Sequence, residues 1–212
     1  MILDRDQNLL QPTERKLEAK PKSEHVRFQQ SMVTAKERVQ LAGHKPKTIW
    51  LTGLTGAGKT TIAYALERRL FDIGRQCCVL DGENVRLGFN KDLGFSADDR
   101  NENIRRAAEV AKLLNDAGLT AICAFVSPYR DGRKLARKIV GEDNFIEVYL
   151  SAPIAECKKR NPDGMYDMAK DGEIKQFTGV SAPYEIPESP DIVIPTHQMG
   201  VDECVEMILA RP

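Results

Sequence analysis

The chain has 212 residues, room for one domain with an appendage, and its 42% hydrophobic content supports a sizeable core. Thirty-one basic side chains balance thirty-one acidic ones, which excludes the broad basic footprint of a nucleic-acid binder or of a protein held on an anionic membrane; any anion must be gripped by a local site. No apolar run approaches the 18 residues of a membrane span, the N-terminus has no signal-like apolar core, and Cys77, Cys78, Cys123, Cys157 and Cys204 lack C-x-x-C spacing, so a cytoplasmic protein with reduced thiols and no zinc site is expected.

Residues 1–46 are polar and charge-rich, above all 16–24, and read as an N-terminal extension that is only partly helical. Thr34-Ala35-Lys36-Glu37 spells a capping box and Gly43 a helix stop, which predicts a short helix packed on the main domain. Beyond Pro46, apolar strand candidates at 47–52, 76–80, 119–126, 145–150 and 191–194 alternate with helical segments at 59–73, 99–117, 130–140, 153–159 and 200–210. That alternation predicts an α/β domain over 47–212, a parallel β-sheet flanked by helices, and no repeat suggests a solenoid. Residues 161–188 carry many Gly, Pro, Lys and Asp with little periodicity; a loop that long inside a domain reads as a mobile lid.

Between the first strand and the helix that follows lies Gly53-Leu54-Thr55-Gly56-Ala57-Gly58-Lys59-Thr60, a phosphate-binding loop in its proper setting. Glycines let backbone N–H groups and the helix N-terminus converge on an anion, Lys59 can reach β and γ phosphates, and Thr60 offers its hydroxyl to Mg²⁺. The bland alternative is a glycine turn with a surface lysine. The second strand delivers Asp81 to the same sheet edge, followed by Gly82 and Glu83. A carboxylate there can take a proton from an acceptor hydroxyl or orient the metal, or merely cap the next turn. Arg86, Lys91, Arg100, Arg105 and Arg106, interleaved with Phe89 and Phe95 and with Asn103 among them, form either an anion site with aromatic faces or a solvated basic surface. Ser127, after the third strand, could donate to an anion or cap the following helix. Arg160, Lys175 and Phe177 are candidate charge and stacking partners in and before the lid. Asn90-Lys91-Asp92-Leu93 fails the guanine signature N-K-x-D at its last position, which argues against a GTP-driven switch.

These blocks together resemble the adenylylsulfate kinase (APS kinase) family. The likeness runs from Ile49 to near the C-terminus, through the phosphate loop, Leu80-Asp81-Gly82-Glu83-Asn84-Val85-Arg86, Asn90-Lys91-Asp92-Leu93-Gly94-Phe95-Ser96, Asp99-Arg100 with Glu102-Asn103-Ile104-Arg105-Arg106, Phe125-Val126-Ser127-Pro128-Tyr129-Arg130, and Gly172-Glu173-Ile174-Lys175-Gln176-Phe177-Thr178-Gly179. The resemblance implies a P-loop kinase that uses Mg·ATP to phosphorylate the 3′-hydroxyl of adenosine 5′-phosphosulfate. It implies that Gly53, Gly56, Ala57, Gly58, Lys59, Thr60 and Thr61 bind ATP phosphates, with Cys157 and Arg160 beside its adenine. Asp81 and Lys59 would be catalytic, and Thr60 and Asp81 would face the metal. Glu83, Asn84, Val85, Arg86, Phe95, Arg100, Asn103, Val126, Ser127, Lys175, Gln176 and Phe177 would bind the phosphosulfate, Phe95 and Phe177 sandwiching its base. It further implies a homodimer and a possible association with an ATP sulfurylase.

Four positions depart from the family's usual pattern: Glu83 for Asp, Asn161 for Asp, Asp163 for Lys and Gln176 for Gly. They motivate a second reading, a related kinase with another nucleotide-like acceptor, and a third of a different class, a non-catalytic nucleotide-binding regulator. Intact Lys59, Thr60 and Asp81 argue against the third.

Overall fold

Five nearly continuous apolar runs become the strands of one sheet in the computed structural model, which describes residues 23–27, 29–160 and 162–211. They are β1 (Thr48–Thr52), β2 (Cys77–Asp81), β3 (Thr120–Ala124), β4 (Phe145–Leu150) and β5 (Ile192–Ile194). Runs without a polar face are what a strand covered on both sides requires. The strands lie in the order β2-β3-β1-β4-β5 and every neighbouring pair is parallel, with Leu51 of β1 opposite Ala124 and Val148. Parallel pairing needs crossovers, and the helices supply them: α2 (Lys59–Asp72), α3 (Asn84–Leu87), α4 (Ala97–Ala117), α5 (Arg130–Val140), α6 (Ile154–Arg160) and α7 (Met165–Lys170), with α1 (Ala35–Ala42) before β1 and α8 (Val201–Leu209) last.

The pleat sends alternate strand residues into two cores. Ile49, Leu51, Ile122 and Val148 meet Ile62, Ala63 and Leu66 of α2 and Val205 and Ile208 of α8 on one face. Trp50, Ala121, Cys123 and Phe145 meet Ile104, Ala107 and Ala111 of α4 and Ala136 of α5 on the other. Leu51, Ile122 and Val148 are wholly buried, each contributing about 1.5–3 kcal/mol. The two buried threonines of β1 are satisfied: Thr48 Oγ1 donates to Asn115 Oδ1 at 2.7 Å, and Thr52 Oγ1 to the Val126 carbonyl at 2.8 Å.

Helix ends follow their caps. Thr34 and Glu37 exchange the two bonds of a capping box, at 2.8 and 3.2 Å, and Gly43 closes α1 in the left-handed region at φ 71°. The helix expected from residue 99 starts instead at Ala97, because Ser96 Oγ accepts from the Asp99 N–H at 3.1 Å. The 161–188 segment is more regular than its composition suggests: a 3-10 turn (Pro162–Gly164) leads into α7, whose Tyr166 and Ala169 are buried. Hydrophobic periodicity is invisible there because a six-residue helix shows only one apolar turn. From Val33 on, the described residues form one compact unit. Of the polar stretch expected over 16–24, only the last two residues fall among those described, and Asn161 lies outside them too.

Candidate active site

The turn after β1 favours the glycines that occupy it. Gly56 and Gly58 stand at φ 80° and 96°, a conformation that costs other residues strain, and a Cβ on Gly56 would lie 2.8 Å from the Cys157 carbonyl. The loop hands over to α2 at Lys59, so the helix's first, unpaired N–H groups face the space the loop encloses. Lys59 Nζ folds back to donate to the Gly53 and Leu54 carbonyls at 3.0 and 2.9 Å. Burial lowers its pKa from 10.5 to about 8, against the opposing pull of Cys157, Asp81 and Glu83. An ammonium held in this way gains most from a multiply charged anion brought to it.

Asp81 ends β2 almost fully buried, at 6% exposure. Its Oδ1 accepts from the N–H groups of Glu83 and Asn84 at 3.0 and 3.4 Å, and its Oδ2 accepts from Thr60 Oγ1 at 2.8 Å. Capping the next turn and facing the phosphate loop are therefore not alternatives: one oxygen does each.

Across from the loop, the Arg86 and Arg100 guanidiniums lie 4.4 and 5.3 Å from the centre of the Phe95 ring. Arg86 donates to the carbonyls of Leu93 and Gly94, and Arg100 to those of Phe95 and Gln176. Both are bonded to main chain rather than to carboxylates, and burial lowers both pKa values, for Arg86 with the charge of Arg100 adding to the effect. Arg105 and Arg106 behave differently. They pair with Glu102, and Arg106 also with Asp92 at 2.7 Å; the Glu102 carboxyl is held down to about 2 by its hydrogen bonds to Arg105 and then Arg106. These two arginines belong to a solvated helix face.

A single cavity of about 840 Å³ joins the two halves. Its wall takes in Gly56, Gly58, Lys59, Thr60, Thr61 and Arg160 on one side, and Glu83, Arg86, Phe95, Arg100, Asn103, Val126, Ser127 and Phe177 on the other, with Asp81 between. Phe177 is buried and packed edge-on against Tyr166, ring centres 5.0 Å apart. Gly53, Ala57, Asn84, Val85, Cys157, Lys175 and Gln176 are not on the wall. Cys157 is buried behind the loop, Val85 is core, Asn84 donates to the Tyr64 hydroxyl, Lys175 points to solvent, and Gln176 serves through its carbonyl. Ser127 is not a helix cap. The first N–H of α5 is taken by Glu185 Oε2 at 2.7 Å, while Ser127 Oγ accepts from Trp50 Nε1 at 3.2 Å and donates to the Phe125 carbonyl.

Sequence reasoning missed Thr196, Met199 and Cys204, which also line the cavity. Thr196 donates to the Ala57 carbonyl at 2.8 Å, and Arg160 ties the Gly56 and Thr196 carbonyls together at 3.0 and 2.8 Å. Their signal was positional: they follow β5 at the carboxyl edge of the sheet, where ligands of open parallel sheets lie.

Comparison with known proteins gives a consistent outcome. The family described as Adenylylsulphate kinase matches residues 45–195. An adenylyl-sulfate kinase of Staphylococcus epidermidis is 50% identical over 187 residues, 88% of this chain and 94% of that protein; one of Clostridium acetobutylicum is 46% identical over 188 residues, 89% of this chain and 94% of that protein. Among solved structures, the Mycobacterium tuberculosis APS kinase in complex with AMPPNP and APS superposes with a TM-score of 0.75 at 41% identity, covering 78% of this chain and 96% of that one.

Proposed function

The chain belongs to the adenylylsulphate kinase family, and we propose that its cavity holds both reactants of that chemistry, ATP against the phosphate loop and adenosine 5′-phosphosulfate against Arg86, Phe95, Arg100 and Ser127. The 3′-hydroxyl oxygen of the phosphosulfate bonds to the γ-phosphorus of ATP while the bond to the β,γ-bridging oxygen breaks. The products are 3′-phosphoadenylyl sulfate and ADP, and the hydroxyl proton passes to Asp81. The observation that carries this reading is the shared cavity, with a phosphate cradle at one end, paired guanidiniums on an aromatic ring at the other and one buried carboxylate between.

In phosphoryl transfer the protein's work is positioning and charge stabilisation. Lys59 and the N–H groups of the loop take the phosphates; Arg86 and Arg100, partly desolvated, exchange carbonyl partners for the acceptor's anionic group. Tyr166 of the lid donates to the Thr55 carbonyl at 2.8 Å, which supports a role for 161–188 in excluding water. Thr60 and Asp81 offer two hard oxygens joined by a 2.8 Å hydrogen bond, and no group of three or more His, Cys, Asp or Glu forms a cage among the described residues. That set suits Mg²⁺, which keeps several waters and takes one or two protein oxygens alongside substrate phosphates. Thr60 and Asp81 would hold the ion, which neutralises charge on the β and γ phosphates when bound. Cytoplasmic action as a homodimer goes with this reading. All five cysteines are free, as a reducing compartment keeps them, and no described helix is long and apolar enough to cross a membrane.

The test is coupled ADP release with Mg·ATP and a panel of acceptors. Turnover is expected with adenosine 5′-phosphosulfate and not with nucleoside monophosphates. Asp81→Ala is expected to lose at least about a hundredfold in kcat while ATP affinity, read by calorimetry, stays within a few-fold. Unchanged kcat in that variant would remove Asp81 from the proton transfer.

A further inference from the structure

Ser127 sits at φ 40°, in the left-handed region that a serine occupies only when its surroundings force it. It is 3% exposed and lies on the cavity wall. What forces it comes from outside the cavity. Arg133, one turn into α5 and 2% exposed, donates from Nη1 to the Ser127 carbonyl at 2.7 Å. Its Nη2 donates to the Glu185 carbonyl at 2.7 Å, and its Nε to Glu147 Oε1 on β4 at 2.8 Å. Each arm of the guanidinium is therefore committed to a different segment: the acceptor-facing turn, the end of the 161–188 segment, and the sheet. Glu185 reciprocates through its N–H to the Pro128 carbonyl at 2.8 Å and through its carboxylate to the Arg130 N–H.

We propose that Arg133 is a positioning residue for acceptor binding: it holds residue 127 in its left-handed conformation and joins that turn to the segment in which the lid ends. Arg133 does not line the cavity and takes no part in the transfer itself. Glu147, which is anchored in turn by an N–H bond to Asp191 Oδ2 at 2.8 Å, fixes the guanidinium against the sheet. The fork geometry is what the arrangement uses, since an ammonium at the same place keeps the charge facing Glu147 but cannot reach three diverging acceptors.

The inference rests on the reaction proposed above, and its test separates the two. Arg133→Lys is compared in two backgrounds, the unsubstituted chain and Ser127→Gly, with KM for adenosine 5′-phosphosulfate, KM for ATP, and acceptor Kd by calorimetry. With serine at 127, the lysine variant is expected to raise acceptor KM and Kd about tenfold and to leave the ATP KM within twofold. With glycine at 127, which adopts φ 40° without strain, the same change at 133 is expected to cost less than threefold. An equal fold-change in both backgrounds, or an ATP KM raised as much as the acceptor's, overturns the proposal, because a merely structural arginine is indifferent to the strain at 127. Arg133→Gln stands in if the lysine variant does not fold, and failure of both to fold with either residue at 127 also overturns it. Absence of turnover in the unsubstituted chain would strike the reaction assigned to the site, while the calorimetric comparison would still decide the role of Arg133.

Discussion

The protonation of Lys59 offers a quantitative check on the phosphate loop. With its pKa lowered to about 8 by burial, the amine is neutral in roughly three-quarters of free molecules at pH 8.5 and in about a tenth at pH 7. A triphosphate brought to within hydrogen-bonding distance favours the charged form, so the site takes up a proton on binding ATP, and more of one as the pH rises. The sign follows from the folded pKa lying below the ordinary value of 10.5: affinity is fully present below about 8 and is lost as pH climbs through it. Between pH 7.5 and 9 the charged fraction of the amine falls from about 0.76 to about 0.09, which predicts a loss of about eightfold in affinity, ~1.2 kcal/mol. Calorimetry in buffers of different ionisation enthalpy measures the uptake directly. Lys59→Arg is the control, since a guanidinium stays protonated throughout this range, and it should bind ATP with a flat profile. Proton release on binding, or the same slope in the arginine variant, would refute the assignment of the titrating group to Lys59.

Two further outcomes are expected. Gly56→Ala places a Cβ 2.8 Å from the Cys157 carbonyl at a backbone φ of 80°; the left-handed strain alone costs about 1–2 kcal/mol, so thermal unfolding should shift down by several degrees and ATP affinity should fall with it, and an unchanged melting temperature would mean that the loop relaxes freely. Ser127→Ala strands the indole N–H of Trp50, which is wholly buried and bonded to Ser127 Oγ, at a cost of about 1–3 kcal/mol; thermal melting tests this, and because Trp50 is the only tryptophan in the chain, its emission reports the loss of that bond.

What could be read from the chain is what is local or periodic. The loop from Gly53 to Thr60 is legible because glycine spacing and a lysine near its end are demanded by backbone geometry and charge alone, and the central strands β1 and β3 are legible because burial on both faces removes charged residues from a run. Asp81 was legible as the residue after a strand, though not its division of labour, since the Thr60 hydroxyl lies 21 positions earlier in sequence. Arg105 and Arg106 do carry a mark in one dimension, Glu102 three and four positions before them on an expected helix. Only folding adds Asp92 to Arg106 and sets Phe95 against Arg86 and Arg100. Thr196, Glu185 and Arg133 escaped because most of their contacts are made to the main chain of other segments, and a main-chain partner leaves no mark on a sequence.

That reliance on carbonyls also bears on the positions where this chain departs from its family's pattern. Arg100 reaches the lid through the oxygen of residue 176, Tyr166 reaches the phosphate loop through the oxygen of Thr55, and Arg160 reaches it through the oxygen of Gly56. None of these acceptors depends on the side chain that carries it, so the bridge between Arg100 and the lid is kept with glutamine at 176, although its backbone at φ 56° is one that glycine adopts with less strain. Glu83 is tolerated for a related reason, since Asp81 takes its backbone N–H rather than its carboxylate. Asp163 is the exception. It lies on the cavity wall with its backbone at φ 54°, and its charge faces the same enclosed space as the phosphates. The Glu83 carboxylate reaches the same wall, and because Asp163 is exposed, solvent screens the repulsion its charge exerts on an anionic ligand.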